Sequence, residues 1–174
     1  MDLAAWTMGA LRHIRQELRG DSQWNTVLAP TARAQRIHLA VFVEPFLTYV
    51  LDGSKSIESR FSTKQCAPFR RVAPGDVILL KAASGPIRGI CAVAKTWFFD
   101  LRAVPLSTLR ARYAESICAT EDSFWRSREK ADFATLIKLR WVRELRPMTC
   151  PKRDRRGWVV LDGNRDQLAL PYSS

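Results

Sequence analysis

The sequence predicts an α+β domain: a small β-barrel of about five or six strands, with flanking helices and an extra helix at the N-terminus. Three observations lead there. The chain has 174 residues, enough for one domain with a sizeable core. From residue 37 onward, β-rich apolar runs alternate with Gly/Pro turn signals. Helical periodicity is confined to the start of the chain and a few inserted stretches. We therefore divide the chain into an N-terminal helix and linker, residues 1–36, and a main domain, residues 37–174.

The elements follow in order. Leu3, Trp6, Ala10, Leu11, Ile14 and Leu18 recur at helical spacing, so residues 3–19 read as an amphipathic helix with Asp2 as cap and Gly20 as stop. Its apolar stripe calls for packing on the main domain; its Arg12, Arg15 and Arg19 face allows a phosphate-gripping arm instead. Residues 21–35 lack a period and read as linker. Ile37–Val43 is a buried strand, and Glu44-Pro45 opens a short helix that Gly53 ends. Ser56–Phe61, Val77–Ala82 and Ile87–Phe99 are strands, separated by Pro74-Gly75-Asp76 and Ser84-Gly85-Pro86 turns. Pro105–Ile117 and about Asp122–Lys130 are helices. Ala134–Leu145 and Gly157–Leu161 are the last strands.

Composition narrows the function classes. The longest apolar run, Ile37–Leu51, is broken by His38, Glu44 and Pro45 and falls short of the ~20 residues of a membrane span. Arg12, His13 and Arg15 interrupt the first apolar stretch, which does not read as a secretory signal. Cys66, Cys91, Cys118 and Cys150 are scattered, as in a reducing cytosol, and a cytoplasmic location is expected. No C-x-x-C pair occurs and the only histidines are His13 and His38, so no zinc site is expected. Nothing suggests a metal or organic cofactor.

Charge points to a polyanionic partner. Lys plus Arg number 28 against 17 Asp plus Glu, a net charge of +11. Residues 60–95 carry Arg60, Lys64, Arg70, Arg71, Lys81, Arg88 and Lys95 against Asp76 alone. Lys152, Arg153, Arg155 and Arg156 form a second cluster. Clustered basic charge favours nucleic acid or nucleotide.

One segment concentrates chemistry: Asp52-Gly53-Ser54-Lys55-Ser56-Ile57-Glu58-Ser59-Arg60. Side chains alternate along a strand, so Glu58 and Arg60 share a face. Lys55 joins them only if residues 53–55 are still turning. Three charged groups would then converge into a net positive pocket suited to a phosphate or a base edge. The plainer alternative is a simple Glu58–Arg60 ion pair that merely holds the barrel.

The segment resembles the G-x-K-x-x-E-x-R motif of the ASCH family, matching it at Gly53, Lys55, Glu58 and Arg60. The preceding strand and short helix, and the Pro74-Gly75-Asp76 turn into Val77–Lys81, are similar to that family too; the resemblance covers roughly residues 37–161. It implies a PUA-like barrel, similar to the domain found in RNA-modifying enzymes, with a basic cleft beside the motif. Related EVE and YTH domains read modified bases. Some ASCH members look like RNA-binding modules, some are reported to cut RNA, and a compact bacterial branch hydrolyses the acetyl amide of N4-acetylcytidine. That branch pairs the motif lysine with a threonine where this chain has Glu58, which can act as a base but not as the expected nucleophile.

The expected function is therefore nucleic-acid binding, of RNA first and DNA or a modified base second, with Lys55, Glu58 and Arg60 as a polar floor. Lys81, Ser84 and Arg88 would form a hairpin rim. Arg70, Arg71, Lys152, Arg153, Arg155 and Arg156 would grip phosphates. Trp125, among Arg126, Arg128 and Lys130, is the favoured stacking platform, with core packing as its alternative. Trp158 is expected to anchor the last strand. The alternative function is an enzyme on RNA or nucleosides, a ribonuclease or an amidohydrolase, with Lys55 and Glu58 as catalytic pair.

Overall fold

The computed structural model describes residues 3–29, 35–152 and 155–161. Its elements are α1 (Leu3–Glu17), α2 (Ser22–Val27), β1 (Ile37–Phe42), α3 (Phe46–Leu51), β2 (Ile57–Ser62), β3 (Val77–Ala82), β4 (Ile87–Asp100), α4 (Leu106–Ile117), α5 (Asp122–Arg126), β5 (Phe133–Met148) and β6 (Trp158–Val160). The strands form one mixed sheet in the order β2-β5-β4-β3-β1-β6. β1 and β3 run parallel and every other pairing is antiparallel.

The sheet curls into a half-barrel because its long central strands are irregular. β4 spans 14 residues and β5 spans 16. Their pairing slips near Ile87, Ile90 and Val93. Each slip bends the ribbon and increases its twist. β2 and β6, the two edge strands, are thereby brought toward each other.

Alternation divides the core between faces. Ala40, Phe42, Ile78, Leu80, Cys91, Val93, Ile137, Leu139 and Trp158 pack inside the curl. Leu39, Val77, Leu79, Ile90, Ala92 and Leu145 face outward and are covered by α1 and α2 through Leu11, Ile14, Trp24 and Leu28. Burial on both faces is why Val77–Leu80 is continuously apolar. A third cluster packs α4 and α5 on β2 and β5 through Ile57, Leu109, Ile117, Trp125 and Leu136. Trp97 and Phe99 meet Tyr113 of α4, while Phe98 turns the other way to Phe69. The Trp97-Phe98-Phe99 run is thus half-buried, with partners on both sides.

The stretch expected to be linker folds in part. Asp21 caps α2 by accepting from the backbone N–H groups of Gln23 and Trp24, and Trp24 is fully buried. The indole N–H of Trp24 donates to Trp141 O, and that of Trp6 to Thr149 O. Arg143 pairs with Asp21 at 2.8 Å. These ties hold α1 and α2 against β5.

A buried polar knot joins β1, β3 and β6. The Nε2 atom of His38 lies 3.0 Å from Asp76 Oδ2, and Trp158 Nε1 donates to His38 Nδ1 at 3.1 Å. An indole can only donate, so Nδ1 accepts and Nε2 carries the proton. Asp76 also accepts from the backbone N–H of Arg36 and of Ala73. Burial opposes its ionisation, but these bonds outweigh it and hold the carboxyl below its usual 3.8.

Candidate functional site

The G-x-K-x-x-E-x-R segment lies at the open seam of the half-barrel. Gly53 has φ +86°, a left-handed conformation that leaves α3 and turns the chain. The Lys55 N–H then returns to Tyr49 O at 2.8 Å. That turn carries the Lys55 side chain onto the Glu58 face. Lys55 Nζ lies 3.3 Å from Glu58 Oε2, and Arg60 Nε lies 2.7 Å from Oε1. Glu58 is held between the two cations.

Each cation is also bound elsewhere. Lys55 Nζ donates to Ile117 O, at the end of α4, at 2.7 Å, and lies 5.1 Å from the centre of the Phe46 ring. Arg60 reaches across the seam, donating to Val41 O on β1 at 2.9 Å and to Gly157 O beside β6 at 3.2 Å. Its guanidinium rests on the rings of Phe42 and Trp158. Arg60 therefore joins the two edges that the backbone ladder leaves apart.

Lys55 is 3% exposed and Glu58 4% exposed. Burial lowers the pKa of Lys55, and the Glu58 charge opposes that shift. Burial, assisted by the same carboxylate, pushes the Cys91 thiol up.

Above this floor opens a cleft of about 550 Å³, lined on one side by Val41–Val43 and Phe46 and on the other by Phe61, Phe124, Ser127 and Arg128. The Arg128 guanidinium stacks 3.4 Å from the centre of the Phe124 ring and donates to Phe124 O at 2.6 Å. Its pKa is lowered by burial, against the pull of Glu58. The cleft therefore combines a charged floor, an apolar lip and a flat wall of guanidinium on arene.

The other expected residues are placed differently. Trp125 is 4% exposed and its N–H donates to Ala119 O, so it packs as a core residue and does not line the cleft. Of the Phe124-Trp125 pair it is Phe124 that reaches the cleft. Lys81 is buried and donates to Ala82 O and Gly85 O, closing its own turn. Arg88 pairs with Glu144 at 2.9 Å and Glu44 at 3.9 Å. Ser84 is exposed at φ 55°. None of these three hairpin residues lines the cleft, whose rim is built instead from β1 and the α5 region. Arg70 and Arg71 are exposed on the loop before β3, also outside its lining. Lys152 is half-buried, Arg155 and Arg156 are exposed, and Arg153 lies outside the described residues.

Phe46, Phe124, Arg128 and the Ile117 carbonyl were not singled out from the sequence. A Phe-Trp pair on a helix of five residues offers no periodicity to say which ring turns inward. A carbonyl at a helix end carries no side-chain signature at all.

No protein-family model matches this chain, and no curated protein does. Among solved structures the chain is similar to ASCH from Zymomonas mobilis, with 17% identity, 75% of this chain and 91% of that chain aligned, and a TM-score of 0.59. A tyrosine-to-phenylalanine variant of that protein aligns over 77% and 96% of the two chains at 16% identity and TM-score 0.58. A serine-to-alanine variant gives 66% and 74%, 20% identity and TM-score 0.53. The fold is the ASCH, PUA-like small barrel.

Proposed function

We propose that this chain is a nucleic-acid-binding domain that seats an unpaired nucleotide, of RNA in preference to DNA, in the cleft at its barrel seam. The observation that carries the reading is the Lys55–Glu58–Arg60 triad. Taking the Lys55 and Glu58 charges out of water for a structural link alone is costly, and apolar residues hold such positions at least as well. Buried charge at the floor of an open cleft is what base-edge and phosphate recognition uses. A volume of about 550 Å³ lies within the ordinary range for a small-ligand site. The Arg128–Phe124 wall offers a base a flat partner, a contact worth about 1–3 kcal/mol per base. The net charge of +11 favours the encounter. RNA is favoured because the resemblance to PUA domains of RNA-modifying enzymes points that way.

The test is a fluorescence-anisotropy titration with short single- and double-stranded RNA and DNA at two salt concentrations. We expect affinity for single strands, a negative dependence on salt, and weakening by Arg128→Ala and Glu58→Gln. Salt-independent binding, or binding indifferent to both variants, overturns the reading.

One observation favours an enzyme as the second reading: the lowered pKa of Lys55, which brings its amine closer to use as a base. Against it, Nζ already has two partners, Glu58 and Ile117 O. Running each mixture on a denaturing gel separates the readings: cleavage lost in Lys55→Ala assigns an activity, and intact oligonucleotide assigns a binding module.

A further inference from the structure

β4 and β5 set two lysines directly opposite one another. Lys95 pairs in register with Lys138, and both are exposed. Like charges facing each other across a ladder are destabilising. Arg140, two residues beyond Lys138 on the same strand, is exposed as well. None of the three forms an ion pair with a carboxylate among the described residues. Arg140 instead stacks 4.0 Å from the centre of the Trp141 ring, and Lys95 lies 5.0 Å from that of Trp97. Trp97 packs on Tyr113, whose ring carries Arg112 at 5.6 Å. A band of exposed cations interleaved with aromatics thus runs from α4 onto the ribbon. Its one nearby acid on α4 is Glu115, which makes no ion pair among the described residues.

The band is separate from the cleft. Lys138 lies opposite Ile57 in β2, and Ile57 faces α4. Glu58, the next residue, points the other way, into the cleft floor.

We propose that the outer face of the β4–β5 ribbon is a second contact surface, on which Lys95, Lys138 and Arg140 grip the phosphate backbone of a nucleic acid longer than the cleft can hold. This rests on the nucleic-acid reading but not on the cleft itself. The repulsion between Lys95 and Lys138 is relieved when phosphates lie between them. Interleaved cations and rings suit a sugar-phosphate chain with bases to stack.

The experiment titrates labelled RNA single strands of about five and about twenty-five nucleotides into wild type and three variants, across a salt series. Lys95→Gln/Lys138→Gln/Arg140→Gln clears the band. Arg12→Gln/Arg19→Gln/Arg146→Gln removes the same charge from the α1 side. Losing three phosphate contacts at about −0.7 each makes the log–log salt slope shallower by about 2, roughly a thirtyfold loss near 0.2 M salt counted from 1 M. That loss is expected for the long strand in the band variant only, with short-strand binding unchanged. Lys95→Glu, the third variant, faces Lys138 with an opposite charge, so its Tm is expected to rise while long-strand affinity falls.

Equal losses in both triple variants, or a long strand bound no more tightly than a short one, overturn this proposal and leave the cleft reading standing. Long-strand binding lost in the band variant, with no short-strand binding in wild type, overturns the cleft reading instead. Binding to phosphatidylserine vesicles with indifference to RNA overturns both.

Discussion

Glu58→Ala should be among the most destabilising single changes in the domain, although Glu58 lies beside a cleft. The side chain is 4% exposed and neutralises two cations, at 3.3 Å and 2.7 Å. Its loss leaves Lys55, 3% exposed, with the Ile117 carbonyl and the Phe46 ring. Arg60 suffers less, since it keeps Val41 O and Gly157 O and is partly solvated. Stranding one buried charge typically costs about 3–5 kcal/mol. That is a large part of a stability of about 5–15 kcal/mol. At about 2–4 °C per kcal/mol for a chain of this size, Tm should fall by about 6–20 °C. Removing both members tells more. Lys55→Met/Glu58→Leu replaces the pair with apolar side chains of similar size and should recover most of the loss. Urea denaturation followed by circular dichroism reads both. A Glu58→Ala cost below about 1 kcal/mol that shrinks further with salt would mean an exposed, screened pair and would refute the reasoning. Strict additivity of Lys55→Met and Glu58→Leu would refute it as well.

Other expectations follow from single contacts. Arg60→Ala removes the seam clamp; it should cost about 1.5–3 kcal/mol and speed hydrogen exchange at Val41 and Trp158 more than in β4. Gly89→Ala places a Cβ 2.6 Å from a Leu51 methyl and 3.0 Å from Arg143 O. The methyl can move but the carbonyl cannot, so a loss of about 1–3 kcal/mol is expected by thermal melting. The Asp76 carboxyl is held below 3.8, so its contribution to stability is complete above that pH and is lost as pH falls through the lowered value. Asp76→Asn should be less stable at neutral pH and should flatten this acid limb. The Lys55 pKa is lowered as well, by burial: the unfolded chain binds its proton more tightly, so stability gains from Lys55 as pH rises toward 10.5. Comparing wild type with Lys55→Met across alkaline pH isolates that gain.

Much of this fold is legible in the chain because its signals are local. Apolar β-rich runs bounded by turns mark β3 and β4, and helical spacing marks α1 and α4. The motif's geometry is legible up to one condition, the turn at residues 53–55, which Gly53 supplies at φ +86°. What the chain conceals depends on packing between distant segments. Trp125 and Phe124 are equivalent as neighbours in sequence; only docking of α5 against Phe61 and Ala119 decides which is buried. Trp24 lies in a stretch with no period, yet α2 folds because Trp141 and Arg143, over a hundred residues away, receive it. Lys81 looks like a solvated charge until its own turn supplies two carbonyls. The role of Arg60 as a clamp requires knowing which strands are the edges of the sheet, and that is a property of the whole topology.

The most direct test of the central claim is an NMR map of the isotope-labelled domain, titrated with a short single-stranded RNA. The expected result is shifts and intermolecular contacts concentrated on Phe124, Arg128, Ser59 and the Lys55–Arg60 segment, on both lips of the seam. Shifts confined to the outer ribbon, or none at saturating RNA, would contradict a nucleotide-binding cleft.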